Sequence, residues 1–527
     1  MKEIKSYNDI KATLQEHKKF ILVLLIITFL AFSNVLRGEF VTADDVPGIV
    51  QNPSVQNFGQ SLQSLNLVAI KNALIFQIAG LNPTIYHLVG ILIHLINIVL
   101  VFIFVRTLFT NKNIAKIATI LFALHPVTAE SIMWISGNSY AMNATFSLLI
   151  FTAFVIFEKT ENKKYFYTSV AIFFFMILHD RGAWPSVTPF ILGIIDQFFF
   201  STKIDIKRGL IIMLPFLVLV GVSSYIVINK NYSSRMDQLT KNFYFNPEEA
   251  PPLLNRAPFS IYMAARNLVF PYELNIYPGE KYLTPQDVLV INVVTLVLIG
   301  LTLYLLTKNR LYAGLILAIV ASLGPTFSPV QVAWLMTERY LYLGSVFYAI
   351  LISLLLLKLR GKHEQIFKIS FGIIVLLFII RLVLRSEDWR TNKNLWISTL
   401  WFSPDSYRVY NNLGDVYIKE NNLDKAIESF SKSFEIFPGY ADAMHNLGIV
   451  YMMKQDIVNA EKYMTMAIQV KPTLAPAWEK MGIIYYQRGD YQNARIYFNK
   501  ALQLDPNSPI APGALQEIGV RENSLIK

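Results

Sequence analysis

The sequence predicts an all-α protein in which a polytopic bundle of membrane-spanning helices is followed by a soluble α-solenoid. Two observations predict this fold class. Apolar runs suited to membrane spans recur over residues 1–388, and a 34-residue pattern repeats from residue 407 onward. The composition agrees, because 54% of the 527 residues are hydrophobic and only 16% are charged, whereas soluble domains carry about 25% charged residues.

The charge and the cysteine count exclude several kinds of site. The net charge is +11 at pH 7, but the positive residues lie in short clusters between the apolar runs, as in membrane proteins and not as in nucleic-acid-binding proteins. The sequence has no cysteine, which excludes disulfides, thiolate metal sites and cysteine nucleophiles. The first apolar run lacks a small-residue cleavage site, so we predict a retained anchor.

Eleven apolar runs are candidate membrane spans. Several are shorter than the roughly 20 residues of an untilted crossing, so one merge or split stays open. The runs lie near residues 20–36, 85–105, 115–135, 143–157, 165–178, 186–200, 209–228, 288–306, 311–327, 340–357 and 366–384.

The lysines and arginines between these runs predict the orientation. Fourteen of them fall in the loops on one side, whereas the short loops on the other side hold only Arg37, Lys71, Arg181 and Arg339. Loops rich in lysine and arginine face the cytoplasm. We therefore predict a plasma (inner) membrane protein with a cytoplasmic N-terminus and extracytoplasmic C-terminal repeats.

Three repeats begin at residues 407, 441 and 475. Each carries a glycine at position 8, a tyrosine at position 11, an alanine at position 20 and a proline near its end. This pattern resembles the tetratricopeptide repeat, a helix–turn–helix unit. The sequence therefore predicts a membrane domain at 1–388, a degenerate half-repeat or linker at 389–406, repeats at 407–508 and a cap and tail at 509–527.

The first helix of each repeat is expected to line the concave face of the array. Stacked helix pairs build extended binding surfaces, so this face could dock an acceptor or another partner protein. A solvated surface without a partner is the alternative for any single residue. The candidate groove residues are Arg408, Asn411, Asp415, Asp442, His445, Glu479 and Tyr486.

The first predicted outer loop contains two adjacent acids in the segment FVTADDVPGIVQNPSV. One interpretation is a helix start with Asp45 as N-cap and Pro47 in the first turn. The other is a functional acid, and the spacing alone leaves both open for Asp44 and Asp45.

Further ionisable residues fall at the same predicted membrane face. Ionisable groups at membrane depth cost free energy and usually mark a functional path. Two histidines on one span, His87 and His94, suit either packing or metal binding, with no third ligand by spacing. The residues predicted to bind the donor phosphate or sugar are His125, Glu130, Asp180, Arg181, Arg266, Glu338 and Arg339.

The order of motifs resembles a known family. The acid pair, YHLVGILIHLIN, ALHPVTAESIMWISG, YELNIYP and ERYLYLGS, followed by the repeats, resemble the transmembrane-and-TPR O-mannosyltransferases and their bacterial and archaeal relatives in the GT-C glycosyltransferase superfamily. The resemblance implies a polyprenyl-phosphate sugar as co-substrate and a serine or threonine hydroxyl as acceptor. It also assigns catalysis to Asp44 or Asp45, with Asp44 matching the first acid of the family.

Two departures from the family pattern affect the expected donor site. Asp180-Arg181 stands where related sequences usually have Lys-Glu, and Asn138 stands where they usually have Arg. A carboxylate can accept the proton of the attacking hydroxyl, and positive charge can stabilise the leaving phosphate. Attack from the opposite face would invert the anomeric carbon. The sequence leaves the sugar, the acceptor and a divalent cation undecided.

Two other functions compete with an enzyme. A membrane-anchored scaffold would recruit partners through the repeats without catalysis, although eleven spans exceed what anchoring needs. A transporter or flippase would carry its charges near the membrane midplane, whereas the charges here cluster at one face. The expected partners are therefore a lipid-linked sugar, an exported protein or glycan acceptor and membrane lipids, with no nucleic acid.

Overall fold

The computed structural model describes residues 3–42, 44–179, 184–242, 253–277, 284–327 and 336–525. The chain is 83% helical, and no β-strand occurs in these ranges, so the predicted all-α class is confirmed. The chain forms two compact units, of which the first ends at Ser398 and the second contains Thr399–Lys527.

The first unit is built from helices of very different lengths, joined by short 3-10 and π turns. Its α-helices are α1 (Tyr7–Phe32), α2 (Pro53–Gln56), α3 (Phe58–Gln63), α4 (Leu67–Ala79), α5 (Pro83–Leu108), α6 (Lys112–Leu124), α7 (Ala129–Met133), α8 (Asn138–Thr160), α9 (Lys163–His179), α10 (Val187–Ile195), α11 (Ile206–Asn242), α12 (Leu253–Val269), α13 (Pro285–Lys308), α14 (Arg310–Ser322), α15 (Tyr342–Lys362) and α16 (Glu364–Asp388).

Seven helical segments in the described ranges are long and apolar enough to cross a membrane. They are Tyr7–Arg37, Pro83–Leu108, Asn138–Thr160, Ile206–Ile226, Pro285–Lys308, Glu338–Lys362 and Glu364–Asp388. The other four predicted runs coincide with the shorter helices α6, α9, α10 and α14, so the predicted count of eleven spans is not confirmed.

A break within one of those runs helps to position the candidate site. Helix α6 ends at Leu124, and Pro126 begins a 3-10 turn before the short helix α7. Proline has no amide hydrogen and its ring disfavours continuation of the preceding helix. The apolar composition of the predicted run does not reveal this break, because the residues on both sides of it are buried.

Helices α5, α8 and α15 form the centre of the first unit. More than half of the most apolar stretch of each is buried (56%, 67% and 61%), against 11% for α13 and α16. Gly90 on α5 allows a close approach, because a Cβ there would lie 2.6 Å from the carbonyl oxygen of Ile132 and 2.8 Å from Nδ2 of Asn138. The segment that contains Ile132 and Asn138 is thus held directly against the central helix.

The second unit contains three helix pairs and a final helix. A further helix, α17 (Asn392–Phe402), crosses the division between the units. The pairs are α18 (Tyr407–Lys419) with α19 (Leu423–Ile436), α20 (Ala441–Met453) with α21 (Ile457–Val470), and α22 (Ala475–Gln487) with α23 (Tyr491–Leu504), followed by α24 (Ala511–Leu525).

One packing contact recurs in every helix pair. The repeat glycine of the first helix lies directly against a large side chain of the second helix, so that an added Cβ would clash with it. The spacing of these contacts matches the predicted 34-residue period. The pairs are Gly414 with Phe430, Gly448 with Met464, and Gly482 with Phe498.

Candidate active site

The loop that carries the acid pair is anchored on both sides. Asn392 donates hydrogen bonds from Nδ2 to Oε2 of Glu39 and to the carbonyl oxygen of Phe40, both at 3.0 Å. Its Oδ1 accepts a hydrogen bond of 2.8 Å from the amide of Thr42. After the pair, the chain enters a π-helical turn, Val46–Val50. These contacts fix the backbone on both sides of the two acids.

Asp45 is completely buried and fully hydrogen-bonded. Its Oδ1 accepts from the amide and the hydroxyl of Ser136, at 2.8 and 2.5 Å, and its Oδ2 accepts from the amide of Val41 at 3.0 Å. Burial raises the pKa of Asp45 to about 6, and these hydrogen bonds oppose the rise. Asp45 occupies the N-cap position of the π turn, yet its side chain makes no capping bond there, because the carboxylate is committed to Ser136 and Val41.

Asp44 has a different environment from its neighbour. Its side chain is partly exposed, and no hydrogen bond to its carboxylate occurs within the described residues. Burial raises the pKa of Asp44 above its ordinary value, while the positive charge of Arg339 opposes that rise. Asp44 therefore has a carboxylate without a hydrogen bond among the described residues and within electrostatic range of Arg339, whereas Asp45 is bound into the loop by three hydrogen bonds.

Two buried ion pairs involve the neighbouring residues Glu338 and Arg339. Nη1 of Arg339 donates to Oε1 of Glu130, and the backbone amide of Arg339 donates to Oε2 of the same carboxylate at 2.9 Å. Nη2 of Arg385 donates to Oε1 of Glu338 at 2.6 Å. All four side chains are at most 4% exposed. Each buried charge thus has a partner of opposite sign, which is the condition for its retention inside the protein.

Aromatic rings cover both arginines. The guanidinium of Arg339 lies 4.8 Å from the ring centre of Trp134 and 5.1 Å from that of Tyr340. The guanidinium of Arg385 lies 5.4 Å from the ring centre of Trp389. The two indoles stack on each other with centroids 6.2 Å apart. Cation–π contacts of this kind stabilise a desolvated arginine and restrict its orientation.

A small cavity opens beside Arg339 between α8, α10 and α15. It has a volume of about 20 Å³ and a mostly apolar lining that includes Asn143, Ser147 and Tyr342. The cavity therefore has room for about one water-sized group next to a fixed cation.

His125 shapes the break after α6. Its Nε2 lies 2.9 Å from the carbonyl oxygen of Leu268, and its Nδ1 accepts a hydrogen bond of 3.2 Å from the amide of Val127. The ring therefore donates from Nε2 and is neutral in this arrangement. Backbone groups occupy both nitrogens, and the role of His125 in donor binding stays a prediction.

The remaining predicted donor residues fall elsewhere. Asp180 and Arg181 lie outside the described residues. Arg266 pairs with Glu273 through Nη1 at 2.8 Å. Asn138, which replaces the arginine of the family pattern, donates from Nδ2 to the carbonyl oxygen of Trp134 at 3.0 Å. The amide of Asn138 thus closes the turn after α7.

Sequence reasoning missed three residues of this region. Ser136 lies within the motif ALHPVTAESIMWISG, and its amide and hydroxyl bind Asp45. Arg385 directly follows the last predicted run and lies within the helical segment Glu364–Asp388, where an intramembrane arginine is itself a signal of function. Lys71 is one of the few positive charges of the predicted outer loops, and it interacts electrostatically with Asp45.

The two histidines of α5 take part in packing contacts. Nδ1 of His94 lies 2.7 Å from the hydroxyl of Tyr342, and its Nε2 lies 3.1 Å from the carbonyl oxygen of Ala123. Nε2 of His87 lies 3.3 Å from the carbonyl oxygen of Glu39. Within the part of the chain that the structure describes, no cluster of three histidine or acidic side chains could hold a metal ion.

The predicted groove residues of the repeats fall into two groups. In the first group, Asn411 accepts a hydrogen bond of 3.0 Å from Nδ2 of Asn446, Glu479 accepts from the hydroxyl of Ser508, and the hydroxyl of Tyr486 donates to Glu517. These three side chains connect neighbouring helices of the array, because each partner lies on or beside a different helix.

The second group carries titratable side chains in a desolvated environment. Burial raises the pKa of Asp415 to about 7 and that of Asp442 above its ordinary value, while Lys471 and Arg408 oppose the rise at Asp442. Burial lowers the pKa of His445 to about 4. His445 is therefore neutral near pH 7, and Asp415 is partly protonated there.

Comparisons with known proteins agree with the predicted resemblance. Tetratricopeptide-repeat family models match residues 407–440 and 475–508. Similar curated proteins include "Protein O-mannosyl-transferase F38B6.6" of Caenorhabditis elegans, 25% identical over 80% of this chain. They also include "Protein O-mannosyl-transferase TMTC4" and "Protein O-mannosyl-transferase TMTC3" of Mus musculus, 25% and 22% identical over 78% and 69% of this chain.

The aligned regions cover 63%, 65% and 43% of those three relatives. The chain thus spans less than two thirds of the length of the curated proteins that it matches. The resemblance inferred from the order of motifs is confirmed at the level of homology, since the homologues are O-mannosyl-transferases and the C-terminal helices are tetratricopeptide repeats.

Proposed function

We propose that this protein is a membrane glycosyltransferase that transfers a hexose such as mannose to a hydroxyl of an exported protein. The donor is a polyprenyl-phosphate sugar, the acceptor is a serine or threonine, and the reaction takes place at the extracytoplasmic face. The observation that carries the proposal is the carboxylate of Asp44, which has no hydrogen bond among the described residues and lies within electrostatic range of the buried, paired Arg339. The homology to O-mannosyl-transferases supports the same reaction.

Asp44 acts as the general base. As the acceptor oxygen attacks the anomeric carbon, its proton moves to the Asp44 carboxylate. The bond between the anomeric carbon and the phosphate oxygen breaks, and polyprenyl phosphate leaves with both bonding electrons. Attack opposite to the leaving group inverts the anomeric carbon, which is the inverting chemistry of a GT-C enzyme. The raised pKa of Asp44 strengthens it as a base.

Asp45 and Arg339 position this base. The three hydrogen bonds to Asp45 hold the backbone next to Asp44, and Arg339 attracts the carboxylate electrostatically. Because Glu130 neutralises Arg339, this cation orients the base without binding it as a full ion pair. The tetratricopeptide repeats dock the acceptor protein or a partner that delivers it.

The test is a transfer assay with the purified full-length chain. Polyprenyl-phosphate mannose, glucose and galactose are each incubated with a serine- and threonine-rich peptide, and the products are followed by mass spectrometry. We expect glycosylated peptide and stoichiometric polyprenyl phosphate with one of the sugars, and neither product with Asp44→Asn. Absence of transfer with every donor, or full activity of the variant, would reject the proposal and favour a scaffold.

A further inference from the structure

The proposed reaction needs a cation for the leaving phosphate, and among the residues that the structure describes, the two buried arginines of the site and the predicted donor ligand Arg266 already have partners. Arg339 is paired with Glu130, Arg385 with Glu338 and Arg266 with Glu273. A phosphate that approaches a paired arginine must compete with a carboxylate that is already bound. A cation without a bound carboxylate would serve this purpose better, since charge-assisted hydrogen bonds to phosphate need unoccupied donors.

Lys71 on α4 is such a cation. Within the described residues, its ammonium forms no hydrogen bond and no ion pair, and its side chain is only partly exposed. Burial lowers the pKa of Lys71 to about 8, and the nearby charge of Asp45 opposes that shift. Lys71 is therefore largely protonated at pH 7 and keeps all three ammonium donors for a ligand.

Helix α4 packs against the segments that surround the acid pair. Its N-cap residue, Asn66, accepts hydrogen bonds from the amides of Val68 and Ala69 at 2.9 and 3.0 Å. One turn after Lys71, Ile75 packs in a buried cluster with Ile49 and Ile135. Ile49 lies in the π turn that follows Asp45, and Ile135 precedes Ser136, which binds Asp45. The helix with Lys71 thus packs against both segments that build the acid site.

The opposite edge of α4 is open and apolar. Leu74 and Ile78, one turn apart, are 46% and 82% exposed. Helix α4 ends four residues before α5, which is one of the candidate spans. An apolar helix edge next to the start of a span suits contact with lipid. A donor held in the membrane by its polyprenyl chain would then meet α4 before it reaches the acids.

We propose that Lys71 binds the phosphate of the lipid-linked donor and stabilises the polyprenyl phosphate as it leaves. The proposal rests on the proposed glycosyl transfer for its choice of ligand. Helix α4 packs against the segments on both sides of the acid site and has an exposed apolar edge, and the phosphate of the donor joins the membrane-bound chain to the sugar. Binding at Lys71 therefore presents the anomeric carbon toward Asp44 while the lipid stays outside the bundle.

A binding experiment isolates this contact from catalysis. Farnesyl phosphate and farnesol serve as probes, because they share the isoprenoid chain and differ in the phosphate. Affinities for the full-length protein in detergent are measured by microscale thermophoresis at pH 7. For the unmodified chain we expect farnesyl phosphate to bind about tenfold or more tightly than farnesol, the preference that one charge-assisted contact provides.

The variants identify the residue that provides the preference. Lys71→Met keeps the aliphatic stem and should bring both probes to nearly the same affinity, whereas Lys71→Arg should retain most of the preference. Arg37→Met removes an exposed cation near the end of the first predicted span and should leave the preference unchanged. Thermal unfolding of each variant confirms that the fold is intact.

The outcomes separate this proposal from the proposed function. A phosphate preference that persists in Lys71→Met, or its absence from the unmodified chain, overturns the role of Lys71 whether or not sugar is transferred. A preference that depends on Lys71 in a chain that transfers no sugar supports the phosphate site and rejects the glycosyltransferase. When transfer occurs, Lys71→Met should also raise the KM for the donor far more than the KM for the peptide.

Discussion

The acid site of the membrane unit and the first-helix face of the repeats differ in how their buried carboxylates are stabilised. At the acid site, Glu130 and Glu338 each have a bound arginine, and Asp45 accepts three hydrogen bonds. On the repeats, Asp415 and Asp442 rely on nearby cations without a short ion pair among the described residues, and burial raises the pKa of both.

This difference indicates what each region is built to hold. A network of buried, paired charges restricts the side chains around it, and it can keep one reactive carboxylate, Asp44, in a fixed place. Carboxylates that are desolvated but not strongly paired keep acceptor capacity for a ligand or take up a proton. The acid site is therefore suited to chemistry and the repeat face to docking.

The largest expected effect concerns the orientation of the chain in the membrane. We predict that the acid site and the repeats both face the extracytoplasmic compartment. The chain has no cysteine, so single cysteines introduced at Gly513 and Lys203 can be labelled selectively in intact cells. An impermeant maleimide should label the cysteine at position 513 and not that at position 203, which lies in a predicted cytoplasmic loop. Labelling of position 203 alone would place the repeats and Asp44 in the cytoplasm.

The second-largest expected effect is a loss of turnover. Asp44→Asn should lower turnover by about 10²- to 10⁴-fold with little change in thermal stability, because an amide keeps the size of the side chain but is not a base. Asp45→Asn is the matched variant, and it should chiefly lower the unfolding temperature, because an amide cannot accept all three hydrogen bonds. Turnover and unfolding are measured on the same preparations, and the reverse pattern would exchange the two roles.

Removal of one buried charge should be costly at the acid site. Arg339→Met leaves Glu130 buried without its partner and should lower the free energy of unfolding by about 3–5 kcal/mol. The double variant Glu130→Gln with Arg339→Met should recover part of that loss. Glu364→Gln breaks an exposed pair with Lys368 and should have hardly any effect. Equal effects of Arg339→Met and Glu364→Gln would show that the network does not support the site.

The smallest effect is expected on the repeats and depends on pH. The pKa of Asp415 is raised to about 7 in the folded chain, so folding favours the protonated form. Its contribution to stability is present at low pH and is lost as the pH rises from about 4 through 7. The unfolding temperature of the repeats should therefore fall between pH 5 and pH 8, and Asp415→Asn should flatten this dependence. A profile that is unchanged in the variant would exclude Asp415 as the titrating group.

The sequence predicted the repeats better than the membrane helices. A glycine at position 8 and a large residue 16 positions later come into contact within one helix pair. The sequence of a single repeat is therefore enough to predict this packing contact. The membrane spans were harder to count, because α6 and α10 are as apolar as full spans but stop after 13 and 9 residues. Their ends depend on turns such as that at Pro126, and hydropathy does not detect these turns.

The sequence predicts Asp44, Asp45, Glu130 and Arg339 as site residues from their place at the outer face, and these roles stay predictions. The structure pairs Glu130 with Arg339. The preference for Asp44 as the base comes from the family resemblance, whereas the bond between Asp45 and a serine 91 residues away could not be predicted from the sequence. Arg385 and Lys71 were missed for the same reason, since their neighbours at the site come from distant parts of the chain.

The stacked indoles of Trp134 and Trp389 provide the site with an optical signal of its own. The two rings are buried, lie at an interplanar angle of 29°, and each faces a guanidinium. Neighbouring chromophores held in one fixed orientation couple their electronic transitions and produce circular dichroism in the ultraviolet. A ligand that shifts Arg339 or Arg385 would change this coupling, so its arrival could be followed in the unlabelled protein.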